Sequence, residues 1–411
     1  MRYAKFVTAV ALVTAMAIGA VALVACGGGG TSTSGSPSAT PSTAATGEPF
    51  KLGFDEGFTG FMAVDAQLTE HGILVALAEL NNQVLGRPIQ YIKADNNSDP
   101  ATAVDKARQL VESDKIAAML GPIFSPANAA VTAYLGKEGG GVPSISIFGQ
   151  PADNLKTGSQ LSFIPAGMFA MEGYLLGKYA VEELGYKTAN SINYEDTTGH
   201  ELMRGFRKAF EEGGGKIVTE QYVPIDTVDF SSYVTALKPA DCTYNWIFGN
   251  GTGPFIKAYH DYGLTAPLVM TMADDLQEPV MKQLGDLSLG IIGSDHYIST
   301  LDNPLNKKFV EDYAKMWPGE LPNMDSYGGW TAVNLFVEAV KKTNGDATPD
   351  VLKQALATLS LDTPAGKITM SPYETVFVGT GPMYICEVQK VNGEYRWMPV
   401  HTYENVLFKN P

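Results

Sequence analysis

From about residue 50 onward, short apolar runs alternate with longer segments in which apolar residues recur every three or four positions. Runs such as 52–54 and 89–92 are typical of buried strands, and the segment 64–80 is typical of a helix with one apolar face. Strands and helices that alternate in this way form βαβ units. The pattern therefore predicts an α/β fold with a parallel sheet flanked by helices.

The alternation of strand-like and helical segments continues along the rest of the chain. Further strands are predicted at 116–120, 142–147, 189–194, 216–222, 244–248, 267–271, 290–296, 366–370 and 383–388. Further helices are predicted after Asp99-Pro100 and at 199–211, 252–262, 304–316, 326–342 and 349–359. Asp99 is expected to cap its helix, with proline in the first helical position. Glycine, aspartate and leucine recur at similar spacing in 86–121 and 215–249, which favours two related halves.

The N-terminus has the features of an export segment. Two basic residues within the first five precede the apolar stretch 6–22, and a positive start before an apolar run is typical of a secretory signal. The stretch is short for a membrane-spanning helix, which needs roughly 20 apolar residues. The next residues, Leu23-Val-Ala-Cys26, resemble the lipobox of bacterial lipoproteins. That resemblance implies a signal peptide at 1–25, acylation of Cys26 and anchoring to a membrane; the alternative is a plain signal peptide or anchor helix.

Composition narrows the function. The segment 26–49 is rich in glycine, serine, threonine, alanine and proline, so we expect a flexible tether. The formal net charge of −15 argues against binding of nucleic acid or anionic lipid. A chain of 411 residues is long for one core and suits two lobes. An extracytoplasmic location would permit a disulfide between Cys242 and Cys386, and two buried free thiols are the alternative.

The sequence lacks the usual signatures of catalysis. The glycine-rich segment 249–254 does not end in Lys-Ser/Thr, and a proline stands where a dinucleotide fingerprint needs its third glycine. There is no Gly-x-Ser-x-Gly elbow, and the five histidines have no metal-ligand spacing. We therefore predict no enzyme activity, cofactor or metal, with a surface hydrolase or dehydrogenase as the less favoured alternative.

Several short motifs occur together in a characteristic order. They are Phe58-Thr-Gly60, Ala78-Glu-Leu-Asn81, Gly86-Arg-Pro-Ile89, Asp99-Pro-Ala-Thr-Ala-Val104, Gly121-Pro-Ile-Phe-Ser125, Gly205-Phe206, Asp229-Phe230, Asp325-Ser-Tyr327 and Pro364-Ala-Gly366. In this order, from about residue 50 to 390, the chain resembles the type I periplasmic binding proteins of the leucine/isoleucine/valine-binding group.

The resemblance implies two Rossmann-like lobes joined by three crossovers, with a ligand cleft between them. Lobe 1 would comprise 50–164 and 298–362, and lobe 2 would comprise 165–297 and 363–411. The resemblance also implies a monomer that captures a small solute and delivers it to an ABC-type permease by hinge closure. A sensor that presents its bound state to a membrane receptor is the alternative.

The same resemblance suggests which residues contact the ligand. Ser125 would donate to a ligand carboxylate, or else cap the helix that begins at Pro126. The loop with Phe148, Gly149 and Gln150 would approach the same group, although Phe148 could equally be core packing. Thr198 stands where the family usually has tyrosine.

Acidic and aromatic residues complete the expected cleft. Asp274 or Asp275 would pair with a ligand ammonium, or else cap the next helix. The remaining candidates are the polar residues Asn250 and Thr252 and the aromatic residues Phe61, Phe124 and Tyr327. For Phe61 and Tyr327, core packing is the favoured alternative. The aromatic set favours an apolar or aromatic ligand that bears a carboxylate.

Overall fold

The computed structural model describes residues 46–152 and 161–411. The predicted signal segment 1–25, the lipidation site Cys26 and the tether up to residue 45 lie outside the described residues. Among the described residues, no helix combines the length and the apolar character needed to cross a membrane.

Fifteen strands are described in these two ranges. They are β1 Phe50–Glu56, β2 Gln83–Val84, β3 Arg87–Asp95, β4 Ala118–Leu120, β5 Ser144–Ile145, β6 Ser162–Ile164, β7 Thr188–Tyr194, β8 Lys216–Val223, β9 Cys242–Trp246, β10 Leu268–Thr271, β11 Ile292–Asp295, β12 Ser360–Thr363, β13 Gly366–Tyr373, β14 Val376–Val391 and β15 Glu394–Leu407.

Eleven α-helices are described in the same ranges. They are α1 Ala63–Glu79, α2 Pro100–Arg108, α3 Ser125–Lys137, α4 Phe169–Glu182, α5 Thr197–Glu212, α6 Ser231–Thr235, α7 Thr252–Asp261, α8 Glu278–Leu284, α9 Pro304–Met316, α10 Met324–Lys342 and α11 Pro349–Leu356.

The strands form two α/β halves of one sheet. Its order is β2-β3-β1-β4-β5-β6-β14-β11-β10-β9-β7-β8. In the first half β1 pairs in parallel with β3 and β4, and in the second half β9 pairs in parallel with β7 and β10. This confirms the predicted α/β fold.

The C-terminal strands depart from the predicted parallel arrangement. Strand β14 joins the two halves, because it pairs in parallel with β6 and antiparallel with β11. Strands β12, β13 and β15 extend the sheet by antiparallel pairing. Antiparallel neighbours need only a short turn between them, whereas a parallel pair needs a crossover of a dozen or more residues.

Local capping accounts for several helix starts. The side chain of Asp99 accepts a hydrogen bond from the Thr102 amide at 2.8 Å, and proline follows the cap as expected. Asn323 and Ser326 form a capping box at the start of α10. Side-chain caps supply acceptors for amides that have no partner within the helix, so they define where the helix begins.

Helices α4 and α5 pack closely because glycine lies at their contact. A Cβ atom at Gly173 would stand 2.0 Å from the carbonyl oxygen of Leu202. Helix α4, whose first half is almost entirely buried, was not predicted from the sequence. A helix that is apolar on most sides lacks the one-sided periodicity by which helices are recognised.

The two C-proximal cysteines are both free and buried. Cys242 lies on β9 and Cys386 on β14, with β10 and β11 between them. Three steps between strands amount to about 14 Å, and a disulfide requires Cα atoms within about 7 Å. The disulfide alternative is therefore wrong. Burial raises the pKa of the Cys242 thiol to about 12 and raises the pKa of the Cys386 thiol well above its usual range.

Candidate functional site

A cavity of about 730 Å³, including the part open to solvent, lies where strands of both halves end. It is lined by Phe61, Met62, Asp65, Ile123, Phe124, Ser125, Phe148, Phe169, Asp196, Thr198, Ile225, Trp246, Phe248, Met272, Asp274, Asp275, Gln277, Met324 and Asp325. We call it the solute cavity.

The fold explains why these residues meet. Loops that follow β1, β4, β5, β7, β9 and β10 reach the solute cavity, and helices α1, α3, α4, α5 and α10 begin beside it. Ligands of open α/β sheets bind at the carboxyl ends of the strands, where backbone amides of helix N-termini are available.

Seven of the predicted ligand-contacting residues line the solute cavity: Phe61, Phe124, Ser125, Phe148, Thr198, Asp274 and Asp275. Ser125 is the first residue of α3, and Phe124 occupies the cap position, so Ser125 is not the cap of a helix starting at Pro126. The rings of Phe61 and Phe124 meet edge to face, with centroids 5.0 Å apart. Phe148 both lines the cavity and packs against the core, so core packing does not exclude a contact with the ligand.

Five other predicted contacts lie outside the lining of this cavity: Gly149, Gln150, Asn250, Thr252 and Tyr327. The Gln150 amide donates to the Ser146 hydroxyl at 3.1 Å, and the Thr252 hydroxyl donates to the Ile247 carbonyl at 2.8 Å. Both side chains therefore hold their own loops in place. Gly149 packs against the ring of Phe169, where a Cβ atom would stand 2.9 Å from a ring carbon.

Asn250 and Tyr327 differ most from the expected cleft. Asn250 is exposed on a short 3₁₀ turn. Tyr327 is buried, stacks on Tyr297 at 5.0 Å, and shares a hydrogen bond with the Thr363 hydroxyl at 3.0 Å. It faces a separate cavity of about 350 Å³ that also contains His296. The side chain of Tyr327 is thus part of the core packing under its own helix, α10.

Asp274 and Asp275 occupy a 3₁₀ turn after β10. The Oδ2 atom of Asp274 accepts a hydrogen bond from the Met324 amide at 2.9 Å, so Asp274 ties this turn to the start of α10. The helix that follows, α8, has Gln277 at its cap position and no side-chain cap bond. Neither aspartate caps α8.

Several lining residues were not predicted. Asp196 caps α5 by accepting from the Gly199 amide at 2.7 Å. Trp246 and Phe248 bring aromatic rings to the end of β9, with centroids 5.0 Å apart. Asp65 and Asp325 lie in the first turns of α1 and α10. Aspartate is common in first turns because of the helix dipole, so its presence there did not single out a site.

Buried carboxyl groups surround one side of the solute cavity. Burial, and secondarily the Asp274 carboxylate, raises the pKa of Asp65 to about 7. Burial is also the main reason that the pKa values of Asp275 and Asp325 are well above the ordinary aspartate range, and neighbouring carboxylates add to it. Burial raises the pKa of Glu172, behind the cavity wall, to about 8.

A cavity at the carboxyl ends of the strands, bordered by helix N-termini from both halves, defines an α/β protein that binds a small molecule. The sequence profile of the family described as "Periplasmic binding protein" matches residues 49–394. The chain belongs to this family of type I periplasmic binding proteins, in its leucine/isoleucine/valine-binding group, which confirms the resemblance inferred from the motifs.

Similar proteins agree with this assignment. The chain is 26% identical to the Leu/Ile/Val-binding protein homolog 6 of Brucella abortus, over 88% of this chain and 93% of that protein. It is 26% identical to an ABC transporter substrate-binding protein from Sphaerobacter thermophilus, with a TM-score of 0.81 and coverage of 88% and 99%.

A third similar protein is a solute-binding protein of an ABC transporter from R. palustris, in complex with benzoate. The identity is 25%, the TM-score is 0.76, and the coverage is 86% of this chain and 96% of that protein. The relatives are substrate-binding proteins of ABC transporters. The protein is accordingly an extracytoplasmic solute-binding protein and not an enzyme.

Proposed function

We propose that this protein captures a small organic solute in the solute cavity and delivers it to the permease of an ABC importer. The observation that carries the proposal is the solute cavity itself, which is built from strand ends of both halves in a periplasmic binding protein. A similar protein from R. palustris binds benzoate, and six aromatic side chains line the cavity here: Phe61, Phe124, Phe148, Phe169, Trp246 and Phe248.

Capture would use hinge closure between the two proposed lobes. Lobe 1 would comprise 50–164 and 298–362, and lobe 2 would comprise 165–297 and 363–411. Residues from both proposed lobes line the cavity, for example Phe124 from the first and Trp246 from the second. A solute that contacts both lobes stabilises the closed form in proportion to its preference for that form, and a permease can recognise that form. A sensor that reports the bound state would use the same closure.

If the solute carries a carboxylate, the start of α3 is where that group would be received. Ser125 lies there on the cavity wall, and the cap position of α3 makes no side-chain hydrogen bond. First-turn amides of a helix are donors without partners in the helix, and the positive end of the helix dipole favours an anion.

The N-terminal segment completes the proposal. Cleavage before Cys26 and acylation of its thiol and amine would hold the protein at the membrane surface by a lipid. The tether that follows, 26–49, would let the folded body reach the permease. Dual attachment of acyl chains is what stable membrane anchoring requires.

A binding screen tests the function. The full chain, purified in detergent, is heated with amino acids, amines, aromatic acids and short-chain acids. A solute present at a hundredfold its Kd adds about 2.7 kcal/mol to the free energy of unfolding, which raises the melting temperature. We expect at least one of these compounds to do so and the scattering radius to contract when it binds.

Two variants locate the binding. Phe124→Ala removes a ring from the cavity wall and should weaken the bound solute about tenfold, since a buried aromatic contact contributes on the order of 1–2 kcal/mol. Tyr262→Ala removes an exposed aromatic ring outside the cavity lining and should leave binding unchanged. If no compound of the four classes raises the melting temperature, the proposed function is wrong.

A further inference from the structure

The charged side chains that line the solute cavity are all acidic. Its lining contains Asp65, Asp196, Asp274, Asp275 and Asp325, and among the described residues no lysine, arginine or histidine lines it. Glu172 and Asp295 are buried directly behind the wall, as shown by their contacts with the Met272 and Asp274 amides. None of these seven carboxyl groups takes part in an ion pair in the part of the chain that the structure describes.

Two of these aspartates have an oxygen that no group among the described residues satisfies. The Oδ2 atom of Asp325 accepts a hydrogen bond from the side-chain amide of Asn323 at 2.8 Å, whereas its buried Oδ1 atom has no partner there. The Asp325 side chain is 4% exposed, although the residue lines the cavity. The buried Oδ2 atom of Asp275 also has no partner. A buried acceptor without a donor is costly, and a donor on the solute would remove that cost.

Asp196 and Asp274 differ in this respect, because Asp196 caps α5 and Asp274 accepts a hydrogen bond from the Met324 amide. Asp275 and Asp325 therefore each offer the cavity a buried acceptor oxygen. Donors that also carry positive charge form the strongest hydrogen bonds with carboxylates.

The rest of the wall identifies the kind of cation. Within the described residues, no group of three or more histidine, cysteine or acidic side chains is placed to hold a metal ion. The remaining wall is largely apolar, with the six aromatic rings named above. The faces of aromatic rings attract organic cations by their quadrupole. This combination suits an alkyl or arylalkyl ammonium, or a guanidinium, better than a hydrated metal ion.

We propose that the solute carries a net positive charge, as an organic amine or guanidine, with its cationic nitrogen between Asp275 and Asp325 and its apolar part against the aromatic wall. The proposal rests on the proposed function and narrows its substrate class. It differs from a neutral amino acid, in which a carboxylate balances the ammonium group, and from an aromatic acid.

A series of compounds that share one hydrocarbon group tests the charge. Isoamylamine is a cation, leucine adds a carboxylate to it, and 4-methylpentanoate carries the carboxylate alone. Isothermal titration of the wild-type full chain measures each Kd, and benzylamine with benzoate repeats the comparison on another framework. We expect each amine to bind at least tenfold more tightly than its partner that carries a carboxylate.

Charge-removing variants place the cation. Asp275→Asn and Asp325→Asn should each weaken the tightest amine at least tenfold. Asp302→Asn is the matched control, because Asp302 is exposed and pairs with Lys307 on the surface, and it should change Kd less than twofold. Far-ultraviolet circular dichroism and the melting temperature of each unliganded variant show whether it is folded.

The outcomes separate the two proposals. If leucine, 4-methylpentanoate or benzoate binds as tightly as the matching amine, the cation inference is wrong and solute capture stands. If Asp275→Asn and Asp325→Asn fold and bind the amine as wild type does, the cation does not lie between them and the inference is also wrong. If no compound of either charge binds, both the cation inference and the proposed function are wrong.

Discussion

Glu172 offers a direct test of the buried carboxyl groups behind the solute cavity. It lies in the first turn of α4, is 2% exposed, and its Oε1 atom accepts from the Met272 amide at 2.6 Å and from the Ser294 hydroxyl at 3.2 Å. In Glu172→Gln the amide oxygen can accept both hydrogen bonds, so the variant removes the ionisable group and little else.

The expected effect depends on pH, and its sign follows from proton linkage. Burial raises the pKa of Glu172 from 4.5 to about 8. Between these values the folded chain holds a proton that the unfolded chain has lost, so the free energy of unfolding falls as the pH rises. The loss is about 1.4 kcal/mol per pH unit. From pH 5 to pH 7 the wild type should lose roughly 2.5 kcal/mol through this one group.

Glu172→Gln has no proton to release at this position, so it should not suffer this loss. The stability of the variant relative to wild type should therefore rise by roughly 2.5 kcal/mol between pH 5 and pH 7. Urea unfolding of the unliganded full chain at pH 5, 6 and 7, followed by tryptophan fluorescence, gives this difference. The other buried carboxyl groups remain in both proteins and contribute to the pH dependence of the unfolding free energy in both.

Glu211→Gln is the matched control, because Glu211 is exposed near the end of α5. Its stability relative to wild type should stay constant over the same pH range. The denaturant dependence of the unfolding free energy should be the same in all three proteins. A constant difference between Glu172→Gln and wild type from pH 5 to pH 7 would show that Glu172 does not hold a proton in the folded state.

Two further predictions concern packing and anchoring. Gly173→Ala should destabilise the protein by about 3 kcal/mol in urea unfolding, because overpacking forces α4 and α5 apart. The control Gly253→Ala meets only the tip of the Val280 side chain, at 3.3 Å, and equal stability of the two variants would contradict the packing argument. Cys26→Ala should lose metabolically incorporated palmitate and appear in the culture medium, whereas a variant that keeps the label would exclude Cys26 as the lipidated residue.

The elements of the fold could be read from the chain because they depend on local interactions. The predicted helix at 304–316 coincides with α9 Pro304–Met316, and Asp99 caps α2 as expected. Apolar periodicity and caps act over a few residues, so the sequence displays them directly. Helix α4 and the antiparallel strand β15 were not predicted, because burial on most sides and pairing with a distant strand leave no such local signal.

Parts of the site could also be predicted from the sequence, because they follow strands whose ends could be recognised. Ser125, Phe148, Thr198 and Asp274 come soon after predicted strands, and the structure places all four at the solute cavity. Tyr327 was expected at the same wall, but its stacking on Tyr297 holds it in the core. Which side of a helix faces a cavity depends on the elements packed around it.

Residues close together along the chain indicated most of the strands and helices and the family, and they carry the predicted export and lipidation signals. The folded structure was needed to show that Asp65, Asp275 and Asp325 share one cavity and that Cys242 and Cys386 cannot meet. The cause is that sheet order brings together residues more than two hundred positions apart. Electrostatic repulsion, burial and disulfide geometry depend on distance in space and not on distance along the chain.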